Sequence, residues 1–198
     1  MSPEQTTRER ILAEGTRLIA DSGLGGFSMR KLASRLDLSA TALYRHFADK
    51  EQLIVAICVE GFQRFARALW KGLEETAPLE RLRRTGREYA VFAANEPHFY
   101  RIMFMTPTEL LGWIHIPEAN QKRINGTFQF LVDRVKECMD QDLLRPGEPR
   151  EIAASIWAHC HGLVALRLDG HLTELSDEQF REFYAVSCDA HLRGLSPA

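Results

Sequence analysis

Between Phe27 and Lys50 the chain reads FSMRKLASRLDLSATALYRHFADK, and this stretch limits the fold more than any other. It describes two short helices meeting at a tight turn, with the start of a third close behind. Ser28 stands where an N-cap is needed, and Met29, Leu32, Ala33 and Leu36 then recur at helical spacing. The break falls at Asp37-Leu38. Ser39 caps a second helix in which Ala40, Leu43 and Phe47 lie within about sixty degrees of one another, at roughly 100° per residue. Asp49 is placed to cap the next helix.

The same arithmetic says what the second helix shows to solvent. Thr41 and Arg45 point away from the Leu43/Phe47 side, with Ala42 beside them and Tyr44 and His46 on the two shoulders. Small and cationic residues at the centre suit base edges in a major groove, and hydrogen-bonding groups on the flanks suit the phosphates of its walls. A surface helix hairpin carrying a few charges has the same look up to this point.

Composition bounds the answer. The 198 residues sit between one domain and two, and a hydrophobic fraction of 45% can fill a substantial core. No apolar run approaches the roughly 20 residues needed to cross a bilayer, and the first residues lack the apolar stretch of a signal peptide. The expectation is a cytoplasmic protein with no membrane association. Net charge is −2, yet Ser28 to Lys50 carries Arg30, Lys31, Arg35, Arg45 and Lys50 against Asp37 and Asp49. That stretch is therefore +3 and the remainder −5, a basic motif on an acidic body. This distribution suits a sequence-specific DNA binder better than a protein that coats phosphates. Cys58, Cys138, Cys160 and Cys188 contain no CxxC pair and read as buried small hydrophobes, with a redox sensor as the alternative.

Helical periods continue to the end of the chain, and no hairpin signal or internal repeat appears. A helix over about 7–22 stops at Gly23. Another begins after Asp49 and runs to about Glu75. Leu79 to Asn95 carries Leu82, Tyr89, Ala90, Phe92 and Ala93 inward, with Arg81, Arg83, Arg84 and Arg87 on what reads as a solvated face. Pro97 opens a short aromatic helix, and Met105 to Pro117 reads as a loop or broken helix. Long helices follow over Glu118 to about Gln141 and Arg150 to about Leu168, and a last one is capped by Ser176. The expected fold is all-α, about nine helices. A three-helix helix-turn-helix domain spans 1–50, and a helical ligand-binding and dimerisation domain spans 51–198.

The ordered pattern Gly23…Phe27-Ser28-x-Arg30-Lys31-Leu32-Ala33…Leu38-Ser39-x-x-Ala42-Leu43-Tyr44-Arg45-His46-Phe47-x-Asp49-Lys50-Glu51-x-Leu53 resembles the N-terminal domain of the tetracycline-repressor family. The resemblance covers roughly Arg8 to Phe65. Two positions depart from the family pattern: Asp37 replaces the usual turn glycine, and Thr41-Ala42 replaces a frequent Gly-Thr pair. Asp tolerates left-handed geometry better than most residues, so the turn survives. On this resemblance Arg30, Thr41 and Arg45, with Ala40 and Ala42, are expected at base edges. Ser28, Tyr44, His46 and Lys50 are expected at phosphates. A lysine in the first turn of a helix runs against the dipole, which gives Lys50 a further reason to serve an anion.

Outside the motif, Trp157-Ala158-His159-Cys160-His161-Gly162-Leu163 is the most distinctive segment. His159 and His161 stand about 200° apart on a helix and cannot share one ion, so no metal site is expected. Trp157 and His161 do share a face. This Trp-x-x-x-His-Gly pattern resembles the Trp-His-Gly class of C-terminal domain in the same family. Gly162, costly inside a helix, suggests another helix packed close against it.

The family resemblance implies a double-stranded DNA operator, a small-molecule effector and a homodimer formed through the last two helices. The apolar stripe expected to pair comprises Ile152, Ile156, Leu163, Leu166, Phe180, Tyr184 and Leu192. Candidates for the effector lining are Phe92, Phe99, Met103, Phe104, Trp113, Phe128, Leu131, Trp157 and His161, which favour an apolar ligand. No catalytic residues and no cofactor are expected. A rival reading, an enzyme or carrier using His98, His159 or His161 with Glu96 or Asp169, finds no nucleophile-base pair or phosphate loop to support it.

Overall fold

Thr6 opens the first helix. Its hydroxyl accepts the Glu9 amide, and the Glu9 carboxylate accepts the Thr6 amide at 2.8 Å, a reciprocal capping box. The computed structural model describes residues 6–106 and 117–197, and among them no strand occurs. The helices are α1 (Thr7–Gly26), α2 (Met29–Arg35), α3 (Ala40–His46), α4 (Lys50–Trp70), α5 (Pro78–Asn95), α6 (Pro97–Tyr100), α7 (Glu118–Met139), α8 (Pro149–Leu168) and α9 (Asp177–Arg193). A 3-10 turn (Lys71–Glu74) follows α4, and a π-helical turn (Arg101–Met105) continues α6. The all-α expectation of about nine helices holds among the described residues. Most of the loop expected between Met105 and Pro117, with Trp113 in it, lies outside the described residues.

Two compact units make up the chain, one from Met1–Phe62 and His98–Gln121, the other from Gln63–Pro97 and Lys122–Ala198. The division falls inside α4, after Phe62, where the sequence suggested a boundary at residue 50.

In the first unit Ile11, Leu12, Leu18 and Ile19 of α1, Leu32 of α2, Leu43 of α3 and Leu53, Ile54 and Ile57 of α4 form the core. Each such side chain contributes on the order of 1.5–3 kcal/mol by leaving water. Two glycines let helices approach here. A Cβ at Gly15 would lie 3.2 Å from Ile57, and one at Gly61 would lie 2.6 Å from the Met103 sulfur and 2.9 Å from the Phe99 ring. Gly23, at φ 66°, ends the regular part of α1 where the sequence placed the stop.

The second unit is built on α5. Leu82, Tyr89, Phe92 and Ala93 are buried with Val135 and Cys138 of α7, Ala153, Ile156 and Val164 of α8, and Tyr184 of α9. The 3-10 turn docks on α5 because position 72 has no side chain: a Cβ there would fall 2.3 Å from the Thr85 hydroxyl. The α5 arginines are not a solvated face. Arg83 joins Glu80 and Asp189 at 2.7 Å, Arg84 donates to Glu88 at 2.8 Å, and Arg81 donates to the Glu75 carbonyl. Glu88 is buried, and its carboxylate is held by Lys71 as well. Among the described residues, Arg87 alone of the four has no ion pair or hydrogen bond.

The outer stripe of the last two helices also differs from the expectation. Ile152, Ile156, Tyr184 and Leu192 are buried within their own chain, and Leu163 and Phe180 are half-buried. Of that stripe Leu166 remains open (44%), and it is joined by Phe183 (43%) and Val186 (66%). Periodicity marks an apolar side but cannot apportion it between two neighbours. No helix packs close on Gly162 within the chain, where an added Cβ would meet nothing within 4 Å.

Candidate nucleic-acid interface

Local bonding fixes the hairpin of α2 and α3. The Ser28 hydroxyl accepts the Lys31 amide at 3.2 Å, and the Ser39 hydroxyl accepts the Ala42 amide at 3.1 Å. Between them Asp37 takes φ 55°. The Leu38 amide bonds back to the Ala33 carbonyl at 3.0 Å, and the Asp37 amide to the Ser34 carbonyl at 3.4 Å. These two bonds make a Schellman turn with aspartate in the left-handed position where glycine is usual. Leu43 and Phe47 then fasten α3 inward, and Arg8 lies 5.2 Å from the Phe47 ring centroid.

The opposite face of α3 is open. Thr41, Tyr44, Arg45 and His46 are exposed and Ala42 is half-buried; Ala40, which rotation puts on the Leu43/Phe47 side, is exposed too, as is Arg30 of α2. Among the described residues, none of Arg30, Thr41, Tyr44, Arg45 or His46 has a side-chain hydrogen bond, ion pair or ring contact. Their donors are available to a partner without first breaking an internal bond. By contrast Arg35 is tied to Glu14 at 3.0 Å and Lys31 donates to the Gly26 carbonyl. Ser28 accepts one bond as a cap and is half-buried.

Lys50 has a different employment from the one expected of it. Its ammonium donates to the Leu24 carbonyl at 2.6 Å and to the Phe27 carbonyl at 3.3 Å, and lies 5.6 Å from the Phe27 ring centroid. These carbonyls lie in the turn that follows the break at Gly23, at the end of α1. The lysine is thus out of place for its own helix and well placed for another. Asp49 completes the junction by accepting the Gln52 amide at 2.7 Å, as its position predicts.

The effector-lining candidates divide between the two units. Phe99, Met103 and Phe104 belong to the first, where Phe99 and Met103 close on Gly61 and Phe104 meets Phe62 edge-on at 5.6 Å. Phe92, Phe128, Leu131, Trp157 and His161 belong to the second. There the shared face of Trp157 and His161 is realised around the Tyr89 hydroxyl, which lies 3.1 Å from His161 Nδ1 and accepts the Trp157 indole N–H at 3.3 Å. Phe128 packs on Trp157 with ring centroids 5.9 Å apart. Burial holds the His161 pKa below its ordinary value. His159 turns elsewhere, with Nε2 3.1 Å from the Ser187 hydroxyl and its ring stacked on His191. The sequence pattern brought Trp157 and His161 together but gave no sign of Tyr89, some seventy residues away, as their common partner.

Comparison with known proteins gives this arrangement a context. Residues 11–57 match the family model described as bacterial regulatory proteins, tetR family, and residues 82–190 match the tetracyclin repressor-like C-terminal domain. An uncharacterised HTH-type transcriptional regulator of Haemophilus influenzae is 31% identical over 90 residues, spanning 45% of this chain and 48% of that protein. The nucleoid occlusion factor SlmA of Vibrio vulnificus is 27% identical over 199 residues, 93% of this chain and 95% of that one. Among solved structures, AibR in complex with isovaleryl coenzyme A and operator DNA superposes with a TM-score of 0.71 at 26% identity, covering 90% of this chain and 95% of that one.

Proposed function

The chain belongs to the tetracycline-repressor family of transcriptional regulators, and on that premise we propose that it is a homodimeric repressor released from a palindromic operator by a small, largely apolar effector. One observation carries the DNA half of this reading: the outward residues of α3 are exposed and hold no internal partner. Arg45 and Arg30 read guanine edges, Thr41 reads a neighbouring base, and Ala40 and Ala42 meet thymine methyls. Tyr44, His46 and Ser28 hold the phosphates on either side. Lys50 acts chiefly as a strut, and any phosphate contact it makes is secondary.

Dimerisation is supported by the apolar surface of α8 and α9, where Leu166, Phe183 and Val186 stand exposed and a Cβ added at Gly162 would meet nothing within 4 Å. A two-fold axis there repeats the reading helix, which calls for a palindrome with half-sites one or more turns apart, roughly 34–36 Å. The effector, by analogy with the ligand named for AibR, is a small molecule with an apolar part, met by Phe128, Leu131, Trp157 and His161. It releases DNA through its differing affinity for two positions of α4. Lys50 makes that coupling direct, since it ties the start of α4 to the end of α1 behind the reading helix. A protein of this kind works in the cytoplasm.

The test is gel-shift titration on the DNA upstream of the protein's own gene at several salt concentrations. The expected result is retardation in which the logarithm of the affinity falls linearly with the logarithm of salt concentration and which competitor DNA of unrelated sequence does not relieve. Binding equal on both DNAs sinks the reading.

A further inference from the structure

Two of the four thiols are isolated. Cys58 and Cys138 are buried, and their pKa values are raised to about 11, by burial foremost. The other two, twenty-eight residues apart in sequence, meet: the Sγ atoms of Cys160 on α8 and Cys188 on α9 are 3.7 Å from each other. A disulfide bond is about 2.05 Å long, so side-chain rotation and a small helix adjustment bring the pair to bonding distance. Both sulfurs also line a hollow of about 300 Å³ bounded by α5, α8 and α9, into which His159 and His191 face. The hollow is open enough to admit hydrogen peroxide.

We propose that Cys160 and Cys188 form a dithiol modification site that hydrogen peroxide, or a hydroperoxide of similar size, converts to an intrachain disulfide joining α8 to α9. The contact between the two sulfurs, in which either can be the donor, lowers the Cys160 pKa and raises that of Cys188. With Cys160 as the attacking sulfur and Cys188 the resolving one, a single exchange closes the bond. Cys160 loses its proton to solvent, and the thiolate attacks one peroxide oxygen. The O–O bond breaks, the sulfur is oxidised to the sulfenic acid, and the departing hydroxide takes up a proton as water. Cys188 then attacks the Cys160 sulfur; the S–S bond forms, the S–O bond breaks, and the hydroxide leaves with the Cys188 proton as a second water. Two thiols and one peroxide give one disulfide and two waters. This site stands apart from the DNA-binding reading and does not depend on it.

The experiment exposes the reduced full-length protein to hydrogen peroxide, blocks the remaining thiols, and maps the peptides without reduction. Two of the four thiols are expected to disappear together into a single Cys160–Cys188 linked peptide pair that dithiothreitol restores, with Cys58 and Cys138 still blocked. In Cys188→Ser the disulfide is absent, and a sulfenic acid at Cys160 is captured by dimedone. Loss spread over all four thiols, a bond between two chains, or no loss at all overturns the proposal. The wild-type peptide map decides this even where the variant does not fold.

Discussion

The reading helix and α5 both display arginines, and the two use them in opposite ways. On α5, Arg81, Arg83 and Arg84 reach Glu137, Glu80, Asp189 and Glu88 of their own unit. On α2 and α3, Arg30 and Arg45 reach nothing in the described chain. A guanidinium bonded to a carboxylate presents little field and few donors outward, whereas one with no partner offers all five N–H groups. The comparison teaches that the supply of nearby carboxylates, more than the number of cations, marks a nucleic-acid face.

The strongest way to break this contrast is a reciprocal pair of substitutions. Arg45→Ala removes the side chain proposed to read a base and is expected to cost about 1–3 kcal/mol of operator discrimination, with the melting temperature unchanged. Arg83→Ala removes an internal bridge and is expected to lower stability by about 1 kcal/mol or less, since the pair is partly exposed, and to leave operator affinity as it was. Gel shift and thermal unfolding on the same two proteins decide it. A larger affinity loss in Arg83→Ala than in Arg45→Ala would invert the assignment.

Lys50 sharpens the contrast from inside the first unit. It is a cation of the motif that behaves like those of α5, being bonded to the Leu24 and Phe27 carbonyls. Lys50→Met should destabilise the unit by about 1–2 kcal/mol, toward the lower end for charge-assisted bonds because the group is only half-buried. The salt dependence of DNA binding should keep its slope. A slope reduced by about one, with stability intact, would instead make Lys50 a phosphate contact.

What the sequence disclosed and what it concealed follows the range of each interaction. The helix-turn-helix was legible because its determinants are local: caps at Ser28 and Ser39, an apolar period, and aspartate at the one left-handed position. That Thr41 and Arg45 point outward followed from rotation alone, whereas rotation put Ala40 on the Leu43/Phe47 side and it stands exposed at the helix start. Lys50 announced itself by standing against its helix dipole, yet its partners lie more than twenty residues back and carry no side-chain signal, being carbonyls. The Tyr89 hydroxyl between Trp157 and His161, and the meeting of Cys160 with Cys188, depend on which helices pack together, which periodicity does not encode. Gly162 misled for the same reason. A glycine shows that closeness is permitted, and here the close approaches are at Gly15, Gly61 and Gly72.

Titration separates the units further. Burial lowers the His161 pKa from 6.5, and burial together with the His159 charge lowers His191. Above 6.5 both the folded and the unfolded chain hold these rings neutral. As pH falls below 6.5 the unfolded chain takes up protons that the folded second unit resists. Stability is therefore lost as pH falls toward the depressed folded values. Thermal melts between about pH 7.5 and pH 5.5 should show this decline, and His161→Gln should make it shallower. An identical slope in wild type and His161→Gln would remove that ring from the account.

The smallest expected effect tests whether the turn of the reading hairpin is special at all. Asp37 at φ 55° has a counterpart in the second unit, Asp142 at φ 54°, which closes α7 with the same kind of bond, Leu143 amide to Cys138 carbonyl at 2.9 Å. Glycine at either position relieves the left-handed cost, which is below the 1–2 kcal/mol of an ordinary residue because aspartate tolerates that region. Glycine also frees the unfolded chain, which costs about 0.4–1 kcal/mol. The two terms nearly cancel, so Asp37→Gly and Asp142→Gly should each move the melting temperature little, and by similar amounts. Operator affinity should follow neither. A gain or loss of binding in Asp37→Gly alone would mean that the aspartate charge beside α3 acts on DNA directly, beyond shaping the turn.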